Sequence, residues 1–446
     1  MTASTQSGWG SRIGFILATV GSAVGLGAIW KFPYMAGTNG GSVFMIPYIF
    51  FSLTVGVSLL IAEFAMGRAG RAGPMKSLSR VIGKGWGFFG GVGVFTVFLI
   101  LSFYSVVGGW CIKYLFDAAT GSGLVSDPAL LGEHFGAFVS NGTQTFLCLV
   151  AFLVLTAAVV LKGVQSGIER IAKVLMPLLF VLMIVLIIRG LTLPGGFKGI
   201  EFLFLPHWSD FNGSALFQAM GFTFFSLSLG AGTMITYGSY LNPKADLPNS
   251  VMWIVILGIV SSLLGGLMIM PSVFAFGVDP GAGPGLTFVT MPAIFAKMPM
   301  GQLFAVAFYL CLVVAALTSS VSMLEACCAL LTRSFNWSRR RAIMITFTGA
   351  LIVGLASTLS FGEWSNVKLF GKTIFDLLDY VTSNVGMPLS TFGIAIGASW
   401  FAWKTTEKEL TTTERPLSPR ALKVIRLMIG VVSPLFVLVV ALGNIF

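Results

Sequence analysis

GSAVGLG, Gly21 to Gly27, interrupts the first apolar stretch of the chain. Three glycines in seven residues do not suit a helix crossing lipid, because glycine weakens helix interiors and exposes backbone. A second interruption, SLSLGAG (Ser226 to Gly232), falls inside another apolar stretch almost half the chain later. Unwound backbone at membrane depth is tolerated only where protein buries it or a polar cavity receives it. Close-packing glycine patches are the plainer reading, but the matched placement in two halves favours paired breaks. Such pairs point to the central binding site of a transporter.

Composition supports a membrane class. Of the 446 residues, 56% are hydrophobic and only 10% charged, against roughly 25% charged in soluble domains. Mean hydropathy is +0.92. Eleven spans are expected, at about 13–36, 43–66, 88–116, 143–162, 170–192, 214–240, 249–276, 302–331, 341–361, 374–403 and 424–445. They make one polytopic all-α domain over 1–446. The first stretch is too long for a secretory leader and runs into Lys31-Phe32-Pro33, not a cleavage pattern. It is expected to stay as a span.

The net charge of +11 points to topology and not to nucleic acid. With the N-terminus inside, one side collects Arg12, the Arg68/Arg71/Lys76/Arg80/Lys84 loop, Lys162, Arg170, Lys173 and Lys244. It also collects Arg333, Arg339 to Arg341, Lys404, Lys408, Arg415, Arg420, Lys423 and Arg426. That asymmetry is the positive-inside pattern of an inner, cell-membrane protein. Eleven spans then put the C-terminus outside. No GxxxxGK[ST] loop is present, which argues against ATP-driven pumping and against an enzyme. His134 and His207 fall in expected external loops without metal-ligand neighbours. The five cysteines lie in or beside spans and read as packing residues.

Polar residues inside spans are costly and therefore informative. Glu63 ends the second span, Glu325 lies in the eighth, and Asp376 and Asp379 open the tenth. Thr318-Ser319-Ser320 is a hydroxyl triplet in mid-span. Such hydroxyls often only bond back to their own helix. An alkali cation, however, needs several oxygens at once, and hydroxyls with freed carbonyls supply them.

These segments resemble the neurotransmitter:sodium symporter family, and most closely its bacterial 11-span branch. GSAVGLGAIWKFPY with Asn39-Gly40-Gly41 is similar to its first helix, FFSLSLGAGTMITYGSY (Phe224 to Tyr240) to its sixth, and ALTSS (Ala316 to Ser320) to its eighth. The likeness runs from about Trp9 to the end of the tenth span. It implies an inverted five-plus-five helix repeat of the LeuT type with broken helices 1 and 6, followed by an extra helix over 424–445. The repeats would occupy about 10–192 and 214–404. Transport would proceed by alternating access around a site between helices 1, 3, 6 and 8. Gly167 and Pro177 match a family pattern linked to unwinding of the fifth helix.

The resemblance implies one sodium site from the carbonyls of Gly21, Val24 and Ala315 with the hydroxyls of Thr318 and Ser319. At the family's other sodium site its two asparagines are replaced by Ala28 and Gly258, leaving the Ala23 carbonyl and Ser226. Phe222 replaces a glutamine of the chloride region, where Ser262 is the remaining match. One sodium is therefore expected, without a second sodium or chloride.

Gly25 stands where amine-transporting relatives carry an aspartate, leaving room for a substrate carboxylate. The Leu26 and Gly27 amides and the Tyr104 hydroxyl would bind that group. Ala23, Phe225, Ser226 and Ser228 would meet the ammonium, and Ile100, Ala231, Ser319 and Met323 the side chain. The implied cargo is a neutral apolar or aromatic amino acid. Lys31 with Asp379 would form an outer ion pair, Phe225 with Tyr104 an aromatic lid, and Trp9 with Tyr240 part of the inner closure. The family's inner arginine and aspartate correspond to Gln6 and Arg333. Two other readings remain: a symporter of another zwitterion or sulfonate osmolyte, and an uncoupled channel or sensor on the same fold.

Overall fold

The computed structural model describes residues 8–122, 127–206, 213–281, 285–413 and 415–443; Gln6 and His207 lie outside them. The described residues are helical apart from connecting turns and one bridge between Leu369 and Lys372. Eight uninterrupted helices are long and apolar enough to span a bilayer: Ser42–Gly70, Lys84–Thr120, Gly142–Leu161, Val164–Leu191, Leu247–Ala275, Gly301–Ser334, Arg339–Leu359 and Pro419–Gly443. They are spans 2 to 5, 7 to 9 and 11. Span 1 is the pair Arg12–Ala23 and Gly27–Thr38, bent by 51°. Span 10, Ile374–Phe401, turns through 85° into the short helix Trp403–Thr411. Span 6 consists of Gly213–Ser226 and Thr233–Gly238. Among the described residues ten spans are thus long and apolar enough to cross a bilayer once each bent pair is counted as one, and the expected sixth corresponds to two shorter helices.

The first break is shorter than the glycine run suggests. Gly21 stays helical, and the chain leaves the helix at Val24 (φ −92°, ψ 66°). Gly21 serves close approach instead: a Cβ there would lie 3.1 Å from that of Thr318 on span 8. At the second break Ser228, Gly230 and Gly232 adopt φ of +52°, +74° and +72°. Glycine enters that left-handed region freely, and serine does so at a cost. The Ser228 hydroxyl helps hold the turn by donating to the Ser22 carbonyl (3.2 Å), which ties one break to the other.

Both ends of the molecule are braced. The short helix Leu286–Lys297 lowers Phe288 among Trp30, Trp110, Tyr114 and Phe135. At the other end, buried Arg68 on span 2 binds the Glu409 carboxylate and carbonyl, and the Ala245 carbonyl at 2.8 Å. Glu409 lies on Trp403–Thr411, so this contact fixes the turn after span 10. All five cysteines are free thiols.

Span 7 crosses the outer half of span 1 at Gly265, where a Cβ would press on the Ala28 carbonyl and lie 3.2 Å from the Ile29 Cα. Backbone cannot yield as a flexible side chain can. Gly265→Ala is therefore expected to destabilise by about 1–3 kcal/mol, read as a lower midpoint of thermal unfolding in detergent. Gly221→Ala, with open space around it, should leave that midpoint unchanged or raise it slightly.

Candidate functional site

The two breaks face one buried cavity with about 30 Å³ of free space, more than a single water needs. Its polar end is formed by Ser22, Ala23, Gly25 and Gly27 of span 1, Tyr104 of span 3, Ser228 of span 6, and Ser319 and Ser322 of span 8. Its apolar end is formed by Val97, Ile100, Ala231, Met323 and Met387, with Phe225 and Thr233 completing the wall. Among the described residues, no charged side chain lines it.

Gly25 has no room for a side chain here. A Cβ would collide with the Ser319 hydroxyl and sit 2.6 Å from the Tyr104 hydroxyl. Tyr104 accepts a hydrogen bond from the Leu26 amide at 3.0 Å, so that amide already has a partner. Phe225 packs on Gly27, whose Cβ would fall 2.7 Å from its ring. Ser319 donates to the carbonyls of Gly21 (3.0 Å) and Ser22 (3.1 Å), and Ser322 pairs with Ser22 at 2.7 Å.

Of the residues expected at the substrate, Ala23, Gly25, Gly27, Ile100, Tyr104, Phe225, Ser228, Ala231, Ser319 and Met323 all line this cavity. Leu26 touches it through Tyr104. Ser226 does not line it. It is the last residue of its half-helix, its hydroxyl donates to Thr223 (3.2 Å), and it adjoins Tyr48. Tyr48 in turn bonds Ser262 at 3.1 Å and packs against Phe222. Ser22, Val97, Thr233, Ser322 and Met387 line the cavity without any sequence expectation behind them. Ser22 sits inside the first glycine run, Thr233 inside FFSLSLGAGTMITYGSY and Ser322 just past ALTSS, whereas Val97 and Met387 fall in no motif.

Of the expected sodium ligands, Gly21 is the one that both Ser319 and Thr318 of span 8 approach. Ser319 bonds Gly21, Thr318 donates to the Ala315 carbonyl at 3.0 Å, and Val24 opens the break. All five oxygens are neutral, as suits a monovalent ion. At the family's other site, Ala28 and Gly258 bring no oxygen-bearing side chain, and a Cβ on Gly258 would meet Leu227.

The outer closure differs from the expectation. Lys31 and Asp379 form no ion pair within 4 Å; the lysine ammonium lies 4.4 Å from the centre of the Phe225 ring. An ammonium is attracted to the ring face and lacks the planar fork by which a guanidinium grips a carboxylate with two bonds. Asp379 accepts from Ser383 (3.3 Å) on its own span. Phe225 and Met387 separate the buried cavity from an outer one of about 150 Å³ that holds Lys31, Ser383 and Asn384. Phe225 and Tyr104 line the inner cavity together without a ring contact between them.

On the inner face Trp9 donates through its indole to the Tyr237 carbonyl (3.1 Å) and packs edge-on against Tyr237 and Tyr240. Tyr240 donates to buried Glu325 (2.6 Å), and Arg339 bonds both Glu325 (2.5 Å) and the Val160 carbonyl (2.7 Å). Arg333 lies over the Tyr240 ring at 4.4 Å and bonds Ser239. Glu169 of span 5 receives the Gly10 amide (2.7 Å) and Ser11 hydroxyl (2.9 Å). Glu325 is conspicuous in the sequence as a mid-span carboxylate, but nothing there singles out Arg339 as its partner.

The sequence profile described as "Sodium:neurotransmitter symporter family" matches residues 6–123 and 134–446. The chain is 42% identical over 87% of its length, and 86% of the relative's, to the "Uncharacterized sodium-dependent transporter YhdH" of Bacillus subtilis. It is 25% identical over 90% of its length, and 70% of the relative's, to the "Sodium-dependent serotonin transporter" of Drosophila melanogaster. The crystal structure of MhsT in complex with L-phenylalanine superposes with a TM-score of 0.90 at 39% identity, covering 98% of this chain and 99% of that one. Helix order, paired breaks and these likenesses agree: the chain belongs to the sodium:neurotransmitter symporter family, and is a multi-pass membrane transporter of the LeuT type and not an enzyme.

Proposed function

We propose that this protein is a sodium-coupled symporter of a small neutral amino acid with an apolar or aromatic side chain. The observation that carries the reading is the division of its one central cavity. Break backbone, Tyr104 and hydroxyls form an end suited to a carboxylate and an ammonium, while Val97, Ile100, Ala231 and Met323 form an uncharged end for a side chain. A relative at 39% identity binds L-phenylalanine. The positive-inside pattern places the N-terminus in the cytoplasm and the C-terminus outside the cell membrane. The chain acts as one unit, with repeats near 10–192 and 214–404. Uptake by proteoliposomes, with and without a sodium gradient and with amino acids and sulfonates as competitors, tests the reading. Competition by sulfonates alone, or ion currents far above substrate flux, would replace it.

One sodium accompanies each substrate, bound by Gly21, Val24, Ala315, Thr318 and Ser319. The sodium dependence of uptake should then have a Hill coefficient near one and be indifferent to chloride. Thr318→Ala with Ser319→Ala removes two of the five oxygens and should abolish sodium stimulation in protein that still folds. A Hill coefficient near two would refute the one-ion stoichiometry.

Tyr104→Phe removes a hydroxyl proposed to donate to the substrate carboxylate. Losing a hydrogen bond to a charged group, about 1.5–3 kcal/mol, should appear as a roughly 10- to 150-fold weaker apparent substrate affinity, with the same expressed amount of protein.

Inner closure rests on Tyr240, Glu325 and Arg339 together with Trp9. Glu325→Gln should weaken it by about 1–2 kcal/mol once the partial exposure of Arg339 is discounted. Faster amide exchange over residues 9–23 is the expected readout. Unchanged protection would show that the Trp9 contacts suffice.

A further inference from the structure

Span 10 ends at Phe401, and span 11 begins at Pro419 after the intervening short helix. Between their neighbouring ends lies an open cavity with about 520 Å³ of free space, walled by Trp400, Lys423, Arg426, Leu427 and Val431 and floored by Ser399 and Gly430. The floor is fixed by two bonds: the Trp400 indole donates to the Gly430 carbonyl (2.9 Å), and Ser399 donates to the Arg426 carbonyl (3.2 Å). A Cβ on Gly430 would press on Ser399 and lie 3.1 Å from the Trp400 indole nitrogen.

The walls divide by chemistry. Lys423 and Arg426, one helical turn apart, are exposed and have no carboxylate within 4 Å among the described residues; Arg426 lies 5.3 Å from the centre of the Trp403 ring. Directly beyond them, towards the middle of span 11, Leu427 and Val431 are 56% and 44% exposed, and Trp400 is 64% exposed. On the orientation proposed above, this places two cations, without a carboxylate partner among the described residues, at the cytoplasmic headgroup level with an uncovered apolar strip leading into the bilayer. A ligand complementary to both must carry an anionic head and an alkyl tail. Basic pockets between membrane helices on that side suit acidic lipid headgroups.

We propose that this cleft is a binding site for an anionic phospholipid of the cytoplasmic leaflet. Its phosphate lies between Lys423 and Arg426, and an acyl chain lies along Trp400, Leu427 and Val431. The site is separate from the transport cavity, and lipid retention does not depend on which way the protein is oriented. Its failure is therefore distinguishable from failure of the transport reading.

The test is native mass spectrometry of the purified full chain, titrated with phosphatidylglycerol or phosphatidylcholine of the same acyl composition. Phosphatidylglycerol should be retained preferentially. Retention should fall about fivefold for each cation removed in Lys423→Gln and Arg426→Gln, taken singly and together; both residues are exposed, so the variants should fold. The charge-preserving pair Lys423→Arg and Arg426→Lys should keep retention within about twofold of the parent, since the attraction is set by charge near the surface. Lys404→Gln with Lys408→Gln, which removes equal charge from the adjacent helix, should leave it unchanged. Millimolar inorganic phosphate should not displace the lipid. The proposal is overturned if the Lys423 and Arg426 variants retain phosphatidylglycerol normally, or if the Lys404 and Lys408 control loses it equally. Displacement by phosphate alone, or a chain dimer that retains no lipid, would overturn it as well.

Discussion

Peptide groups released by a helix break inside hydrocarbon must find partners, and the centre of this protein is organised by that requirement. An unpaired amide or carbonyl there costs several kcal/mol. The Leu26 amide is met by the Tyr104 hydroxyl of span 3, and the Gly230 amide by the Glu63 carboxyl of span 2. The Ser22 carbonyl takes hydroxyls from Ser228 of span 6 and Ser319 of span 8. Each bond joins a break to another span. The breaks are therefore the points at which the bundle is fastened together, and a substrate that enters between them touches the fastening itself.

On the proposed sodium site, Ser319 is the residue shared by ion and substrate. Its hydroxyl lines the substrate cavity and also donates to the Gly21 carbonyl, one of the oxygens proposed for sodium. Thr318 donates to Ala315 in the same way. A hydroxyl whose proton is committed to a carbonyl keeps its lone pairs for a cation. An ion drawing span 1 and span 8 together would fix Ser319, and with it the polar end of the cavity. On that proposal substrate and ion would stabilise the same spacing of two helices, which is how two ligands raise each other's affinity without touching.

Much of this architecture is legible in the amino-acid sequence, because polar or glycine-rich residues inside apolar runs are costly and so stand out. The two breaks, the hydroxyl triplet and Glu63 all declare themselves that way. What stays hidden depends on where side chains end. Ser226 and Ser228 flank one break with identical chemistry, and only the left-handed backbone at Ser228 turns its hydroxyl towards Ser22. Lys31 is expected on a carboxylate but rests on an aromatic face. Val97 and Met387 line the cavity yet differ in no visible way from apolar neighbours that face lipid or core.

The inner face carries the sharpest departure from the family pattern, and its chemistry is internally consistent. Arg333 stands where the family resemblance implies an aspartate, and it lies over the Tyr240 ring and bonds Ser239. One fully buried carboxylate, Glu325, remains to neutralise Arg339 and to accept the Tyr240 proton. Attachment of the N-terminal segment passes instead to the Trp9 indole, a neutral donor packed among aromatic rings, and to the Gly10 amide on Glu169. Exposed charge pairs separated by more than about 8–10 Å are largely screened at physiological salt, whereas buried contacts are screened far less. In this chain the N-terminal segment is held by a part-buried indole and an amide bound to a carboxylate, contacts that salt screens less than it would an exposed ion pair.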